Sequence, residues 1–121
     1  MLYPVDQLTE ETLESRLCEL IREAALEESR DELPHSLAVT ISEHGPRENS
    51  DIYDIHANLF VERDSQKPIV IGKGGARLKQ IGSEARKEIE KLIGGKVMLK
   101  IHVKVAPAWQ QDPKQLGRLG L

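Results

Sequence analysis

The fold and the ligand expected for this chain of 121 residues depend mainly on one stretch, Val70-Ile71-Gly72-Lys73-Gly74-Gly75. This stretch leads directly into a helical segment. Three of its last four residues are glycine, so no Cβ atom holds a ligand away from the peptide groups there. The N–H groups and dipole at the start of the following helix favour an anion. Lys73 adds a positive charge. The sequence therefore predicts a place where a phosphate lies close to the main chain.

Two common phosphate-binding motifs do not fit this loop. A nucleoside-triphosphate loop needs G-x-x-x-x-G-K followed by Ser or Thr, and this spacing occurs nowhere in the chain. The dinucleotide fingerprint G-x-G-x-x-G is also absent. What remains is a G-x-x-G loop, preceded by an apolar triplet and followed by a basic helix.

The segment after the loop has the apolar spacing of an amphipathic helix from Ala76 to Ile93. Gly94 and Gly95 are expected to end it, because glycine tolerates the left-handed conformation common at helix C-termini. Val97 to Val105 then alternates apolar and polar residues and is predicted to be a strand. The inward stripe of the helix is Leu78, Ile81, Ala85, Ile89, Leu92 and Ile93.

Upstream of the loop, the pattern predicts one helix and two strands. Thr9 to Ser29 is amphipathic, and Thr9 is its predicted N-cap. A strand from about Leu37 to Ser42 and another from about Ile52 to Glu62 are close enough to pair as an antiparallel hairpin. The element order is that of an α+β fold, with helices covering one face of a small sheet.

The short segment just before the glycines has two interpretations. Propensity alone predicts a buried strand over Ile69 to Ile71, since all three residues are β-branched. Pro68, however, fits the first position of a brief helix.

The charge is divided unequally along the chain. The formal net charge is −3, which taken alone argues against a polyanion-binding protein. Residues 1–62 carry four basic and fifteen acidic residues, whereas residues 63–104 carry eleven basic and four acidic residues. The net charges of these segments are −11 and +7, and the remaining tail adds +1. One half of the chain is therefore suited to face a polyanion.

Other function classes find little support in the sequence. The single cysteine, Cys18, excludes an internal disulfide framework and fits a reducing cytoplasm. The four histidines lack metal-ligand spacing, and no serine stands in a G-x-S-x-G elbow. We therefore expect no catalytic residue, no metal site and no cofactor of its own for this chain.

Several further segments resemble the C-terminal KH domain of the Era GTPase family, and the resemblance covers nearly the whole chain. It implies a type II KH fold, αββααβ, with a three-stranded mixed sheet, Ser65 to Ile71 helical, and one domain over residues 1–121. Residues 1–8 would be a linker remnant, and residues 106–121 a tail with a short helix opened by Asp112-Pro113. The segments are Leu33–Val39, Val61–Lys67, the glycine loop, Ile81–Arg86, and Val103–Val105 with Trp109.

The resemblance implies an RNA-binding domain that clamps single-stranded RNA through its G-x-x-G loop. In this interpretation the RNA backbone crosses Gly72, Gly74 and Gly75, and the bases lie between the helices and the second strand. Phosphates would be neutralised by Lys67, Lys73, Arg77 and Lys79, and Ile69, Ile71 and Leu78 would form an apolar floor.

The family also implies partners and a location. The expected RNA is small-subunit ribosomal RNA near its 3′ end, on the ribosomal small subunit, in the cytoplasm. Peripheral association with the inner membrane follows from the resemblance only. GTP and Mg²⁺ are implied only for the N-terminal GTP-binding domain of the family, for which these residues supply no motif. The alternative is a protein-interaction or regulatory module that docks a GTPase domain or a ribosomal protein through its acidic first helix.

Overall fold

The computed structural model describes residues 9–29 and 37–106. These residues have the predicted αββααβ order, and the α+β fold is confirmed. A short 3₁₀ turn precedes each of the last two helices. In chain order the elements are α1 (Glu10–Ser29), β1 (Ala38–Pro46), β2 (Tyr53–Val61), a 3₁₀ turn (Asp64–Gln66), α2 (Lys67–Ile71), a second 3₁₀ turn (Lys73–Gly75), α3 (Ala76–Ile93) and β3 (Val97–Val105).

The three strands form one mixed sheet in the order β1-β2-β3. β1 pairs with β2 in the antiparallel sense, as the hairpin prediction required, with a register shift between Ile41 and Glu43. β3 pairs with β2 in parallel, so that Tyr53 lies opposite Val97. Both faces of β2 are buried over Ala57 to Val61. Leu59 and Val61 pack with residues of α2 and α3, whereas Phe60 packs with Ala106 and Ala38.

The core lies between the sheet and the helices α1 and α3. Leu17 and Ile21 of α1, Ile55 and Ala57 of β2, and Ile89 of α3 are fully buried in one cluster. Burying one such leucine or isoleucine side chain contributes about 1.5–3 kcal/mol to folding. A second cluster continues it toward α2 and contains Leu59, Val61, Val70, Ile81 and Val103.

The predicted ends of the two long helices are confirmed. The Thr12 N–H donates to Thr9 Oγ1 at 3.1 Å, so Thr9 caps α1. Gly94 ends α3 in the left-handed conformation, with φ of 81°. Cys18 is half-buried on α1, and burial, helped by Glu14 and Glu19, raises the pKa of its thiol to about 11.

The strand predicted from propensity for Ile69 to Ile71 is wrong, and the helix implied by the resemblance is confirmed. Lys67 to Ile71 form α2, with Pro68 in its first turn. Proline holds φ near the helical value and lacks an N–H that the first turn could not use. Both edges of β2 are already occupied by β1 and β3, so the triplet has no place beside it. Only Val70 is fully buried.

Some predictions fall outside the described residues. These are the linker over residues 1–8 and the short C-terminal helix opened by Asp112-Pro113. Within the described ranges, no helix is both long enough and apolar enough to cross a bilayer.

Candidate nucleic-acid interface

Gly72, the first residue of the glycine loop, occupies a position that only glycine fits. Its φ of 76° and ψ of 172° lie in a region that is essentially restricted to glycine. A Cβ added there would stand 2.7 Å from the Cβ atom of Arg77 and 2.8 Å from its backbone nitrogen. The chain can therefore pass directly from α2 to α3 because this residue has no side chain.

Gly74 and Gly75 also have positive φ, at 62° and 80°, but for a different reason. A Cβ atom added to either residue would have no contact within 4 Å, so the space beside both glycines is open. The Gly75 N–H donates to the Gly72 carbonyl at 3.1 Å and closes the loop. No side chain caps α3 at Gly75, and the N–H of Ala76, the first residue of α3, donates to the Lys73 carbonyl within the turn.

Arg77 ties the loop to the preceding helix. Its Nη1 donates to the Ile69 carbonyl at 3.2 Å, and the side chain is half-buried. The guanidinium thus satisfies a carbonyl at the end of α2 and positions the two helices relative to each other. This contact gives Arg77 a structural role beside the phosphate contact predicted for it.

A groove of about 880 Å³ begins at the glycine loop and runs between α3 and β3. One wall is a single face of α3, the other is the edge strand β3, and the far end is formed by the β1–β2 loop. The lining residues are Arg47, Ile52, Gly75, Leu78, Lys79, Gly82, Ser83, Arg86, Glu90, Lys96, Val97, Met98, Leu99, Lys100 and Ile101.

The predicted position of the groove beside the second strand is wrong. β2 is the central strand of the sheet, and none of its residues lines the groove. The parallel pairing of β3 with β2 places β3 at the sheet edge, where α3 faces it. The strand that lines the groove is therefore the third one.

The groove carries an excess of positive charge. Five basic side chains line it, and Glu90 is its single acidic residue. One oxygen of Glu90 accepts a hydrogen bond from the Val97 N–H at 3.0 Å. Within residues 9–29 and 37–106, no carboxylate forms an ion pair with four of these basic side chains: Lys79, Arg86, Lys96 and Lys100.

The structure brings only part of the predicted residue set to the groove. Gly75, Leu78 and Lys79 line it. Ile69 and Ile71 lie outside the lining and pack, half-buried, against the second core cluster. The apolar floor is instead formed by Leu78 with residues of β3. Lys67 and Lys73 are exposed near the loop but outside the groove lining. Gly72, Gly74 and Arg77 also lie outside the lining.

Several lining residues were missed by the sequence reasoning. The signal was present on α3, because positions 75, 78, 79, 82, 83, 86 and 90 recur at helical spacing and mark one face. Gly82 in the middle of that face is a second signal, since glycine in a helix interior costs about 1 kcal/mol relative to alanine. Arg86 lies on the same face of α3, and Lys100 lies on β3 on the other side of the groove.

Comparisons with known proteins agree with this geometry. The KH domain family matches residues 32–110. GTPase Era of Mycobacterium sp. (strain KMS) is 65% identical over 119 residues, which are 98% of this chain and 40% of that protein. GTPase Era of Mycobacterium tuberculosis (strain ATCC 25177 / H37Ra) is 64% identical with the same coverage. The chain thus spans 40% of the length of these relatives.

Two solved structures are similar over almost the whole chain. Era in complex with MgGDPNP and nucleotides 1506–1542 of 16S ribosomal RNA has a TM-score of 0.81 and 40% identity, covering 99% of this chain and 40% of that one. A variant of Aquifex aeolicus Era bound to GDP·AlF₄⁻ has a TM-score of 0.80 and 39% identity, covering 98% and 40%. The resemblance expected from the sequence is confirmed. The fold, the glycine loop and a family match over well over half of the residues show that this chain belongs to the KH domain family.

Proposed function

We propose that this chain binds single-stranded RNA along the groove between α3 and β3, with the RNA backbone clamped at the glycine loop. The observation that carries the proposal is the junction of two features. An open glycine loop without a side-chain cap lies at one end of the groove. Of the five basic side chains in that groove, Lys79, Arg86, Lys96 and Lys100 form no ion pair with a carboxylate of the described residues. Such side chains gain affinity by releasing the counterions of a polyanion.

The residues near the loop have separate roles in this proposal. Lys67, Lys73 and Lys79 are exposed and neutralise phosphates, whereas Arg77 holds the loop in place and faces the same backbone. Bases lie on the apolar floor formed by Leu78, Leu99 and Ile101. Ile69 and Ile71 support α2 from the core side, so that the loop keeps its shape.

The proposed RNA is the 3′ segment of small-subunit ribosomal RNA, and the proposed assembly is the ribosomal small subunit. The support is the similarity to Era, whose solved complex contains nucleotides 1506–1542 of 16S ribosomal RNA. We also propose the cytoplasm as the location and a GTPase domain in the same polypeptide as a partner. Peripheral association with the inner membrane rests on the family resemblance alone.

The described residues do not fit GTP with Mg²⁺. The loop lacks the triphosphate spacing, and α3 begins Ala76-Arg77, with no hydroxyl to bind Mg²⁺ after the loop lysine. We therefore propose that RNA binding is the activity of these residues, without catalysis or a cofactor. The relatives are named as GTPases, but this chain covers only 40% of their length.

The decisive experiment replaces Gly74, whose Cβ would enter open space. Gly74→Asp puts a negative charge where the phosphate lies, and Gly74→Asn is a matched control of the same shape. Both residues tolerate the left-handed conformation better than other side chains do. Fluorescence anisotropy with the 16S ribosomal RNA 3′ segment should show a loss of affinity of about tenfold or more for Asp relative to Asn. Equal affinity of both variants and the unmodified chain would refute the clamp.

A further inference from the structure

The far end of the groove is built by an element that has no part in the glycine loop. Arg47 and Ile52 of the β1–β2 loop line it together with Met98 of β3. The lining face of α3 runs from Gly75 to Glu90, about 22 Å at the helical rise. A nucleotide at Arg47 is therefore different from the one clamped at the loop.

Asp54 holds the Arg47 side chain in a fixed orientation. Arg47 Nε donates to Asp54 Oδ2 at 3.0 Å, and Nη2 donates to Oδ1 at 2.7 Å. The Arg47 N–H also donates to the Ile52 carbonyl at 2.8 Å, which closes the hairpin loop. Asp54 lies opposite Met98 in the sheet register, so the pair is placed beside the groove wall.

The pair differs chemically from the other basic residues of the groove. Asp54 offsets the charge of Arg47, so the pair adds little net attraction for a phosphate. The planar guanidinium has five N–H donors, and the two hydrogen bonds to Asp54 leave three of them. Directed donors beside the apolar side chains of Ile52 and Met98 suit the edge and face of a nucleobase.

We propose that Arg47, positioned by Asp54, reads a base at the far end of the groove and so determines part of the RNA specificity. This inference rests on the RNA binding proposed above. The base is one that presents carbonyl acceptors, guanine or uracil, in preference to adenine, which presents an amino donor in the corresponding place. Phosphate contacts at the loop position the strand, and this contact adds sequence information.

The test uses a constant RNA core extended at both ends by short runs of A, G or U, measured by fluorescence anisotropy. The unmodified chain should prefer the G or U extensions over the A extensions by about tenfold. Arg47→Ala should remove this preference, and so should Arg47→Lys, which keeps the charge but lacks the fork. Asp54→Asn should also remove it, because Arg47 is then no longer oriented.

Arg16→Ala is the matched control. Arg16 is similarly exposed, 47% against 41% for Arg47, and pairs with Glu19 on α1. It should keep the full preference. Lys79→Glu should weaken binding of every extended RNA while the ratio between extensions persists, which separates the two proposals.

Two outcomes would overturn the inference. If Arg47→Ala retains the preference, while Lys79→Glu still weakens binding, the base is read elsewhere and the groove proposal stands. If Arg47→Ala lowers the affinity for all extended RNAs equally and also lowers the salt dependence of binding, Arg47 contacts a phosphate and reads no base. Failure of the unmodified chain to bind any of the RNAs would refute the proposed function itself.

Discussion

The two sides of α3 carry basic residues that differ in what they contact. Away from the groove, Lys87 Nζ lies 3.4 Å from Glu84 Oε1, and Lys91 Nζ lies 2.8 Å from Glu88 Oε2. Inside the groove, Lys79 and Arg86 form no ion pair with a carboxylate of the described residues. A paired surface lysine is locally neutralised, whereas an unpaired one attracts a polyanion. On one helix, basic residues are therefore neutralised by carboxylates on one side and available to a ligand on the other.

The largest expected effect comes from reversing charge on one side at a time. The double variant Lys79→Glu with Arg86→Glu should lose about 100-fold or more in RNA affinity, because two charge-assisted contacts are lost and two repulsions are added. Lys87→Glu with Lys91→Glu makes the same change in net charge on the opposite side and should stay within about twofold. Anisotropy titrations at one salt concentration measure both. Similar losses on the two sides would show that only the total charge matters.

Gly82 tests the groove side of α3 through its shape instead of its charge. Gly82→Ala should raise the free energy of unfolding by about 1 kcal/mol, since alanine is the better helix former and the new Cβ meets nothing within 4 Å. The same methyl group narrows the groove, so RNA affinity should fall about three- to tenfold.

Ser83→Ala is the control for Gly82→Ala, because it also favours the helix but adds no atom to the groove. Urea denaturation and anisotropy on the same samples distinguish the two effects. A stabilised Gly82→Ala variant that binds RNA normally would mean that bases do not approach this wall.

A smaller effect is expected in the salt dependence of binding. Each phosphate neutralised on a single strand contributes about 0.7 to the slope of log affinity against log salt concentration. Lys79→Ala should lower that slope by about this amount, and Lys87→Ala should leave it unchanged. Titrations at four or more salt concentrations give the slopes. An equal decrease in both variants would contradict the division of α3 into two sides.

The smallest expected effect is the loss of the Glu88–Lys91 ion pair at acidic pH. The hydrogen bond and charge of Lys91 lower the pKa of Glu88 from its ordinary value of 4.5. The stabilisation by this pair is therefore fully present above pH 4.5 and disappears as the pH falls through the lowered pKa. Lys91→Gln should return the Glu88 pKa toward 4.5 in an NMR titration, while RNA affinity at neutral pH stays the same. An unchanged Glu88 pKa would exclude the ion pair in solution.

Much of the fold follows from periodicity in the sequence. The apolar spacing of residues 76–93 and the alternation of residues 97–105 give α3 and β3 with the bounds that the structure shows. These patterns are reliable because each records directly which side chains face the core. The glycine loop was identifiable for a similar reason, since Gly72 tolerates no Cβ beside Arg77.

The groove could not be derived in the same way. The face of α3 that contains Lys79 and Gly82 can be read from spacing, but the strand opposite it depends on the order of strands in the sheet. Parallel pairing of β3 with β2 is a long-range choice that no local pattern records. The Arg47–Asp54 pair is likewise a tertiary contact across a hairpin, and nothing near the glycines indicates it.

The parallel pairing of β3 with β2 also determines at what stage of synthesis the groove is complete. Every residue of β2 from Tyr53 to Val61 finds its partner on β3 44 positions later, and the glycine loop is synthesised between the two strands. On the ribosome, the loop and α3 emerge first, and the groove has only one wall until β3 follows. Contacts over such separations also form late in folding. RNA binding is therefore expected only after residue 105 has been synthesised, so a chain that ends before β3 should not bind its RNA.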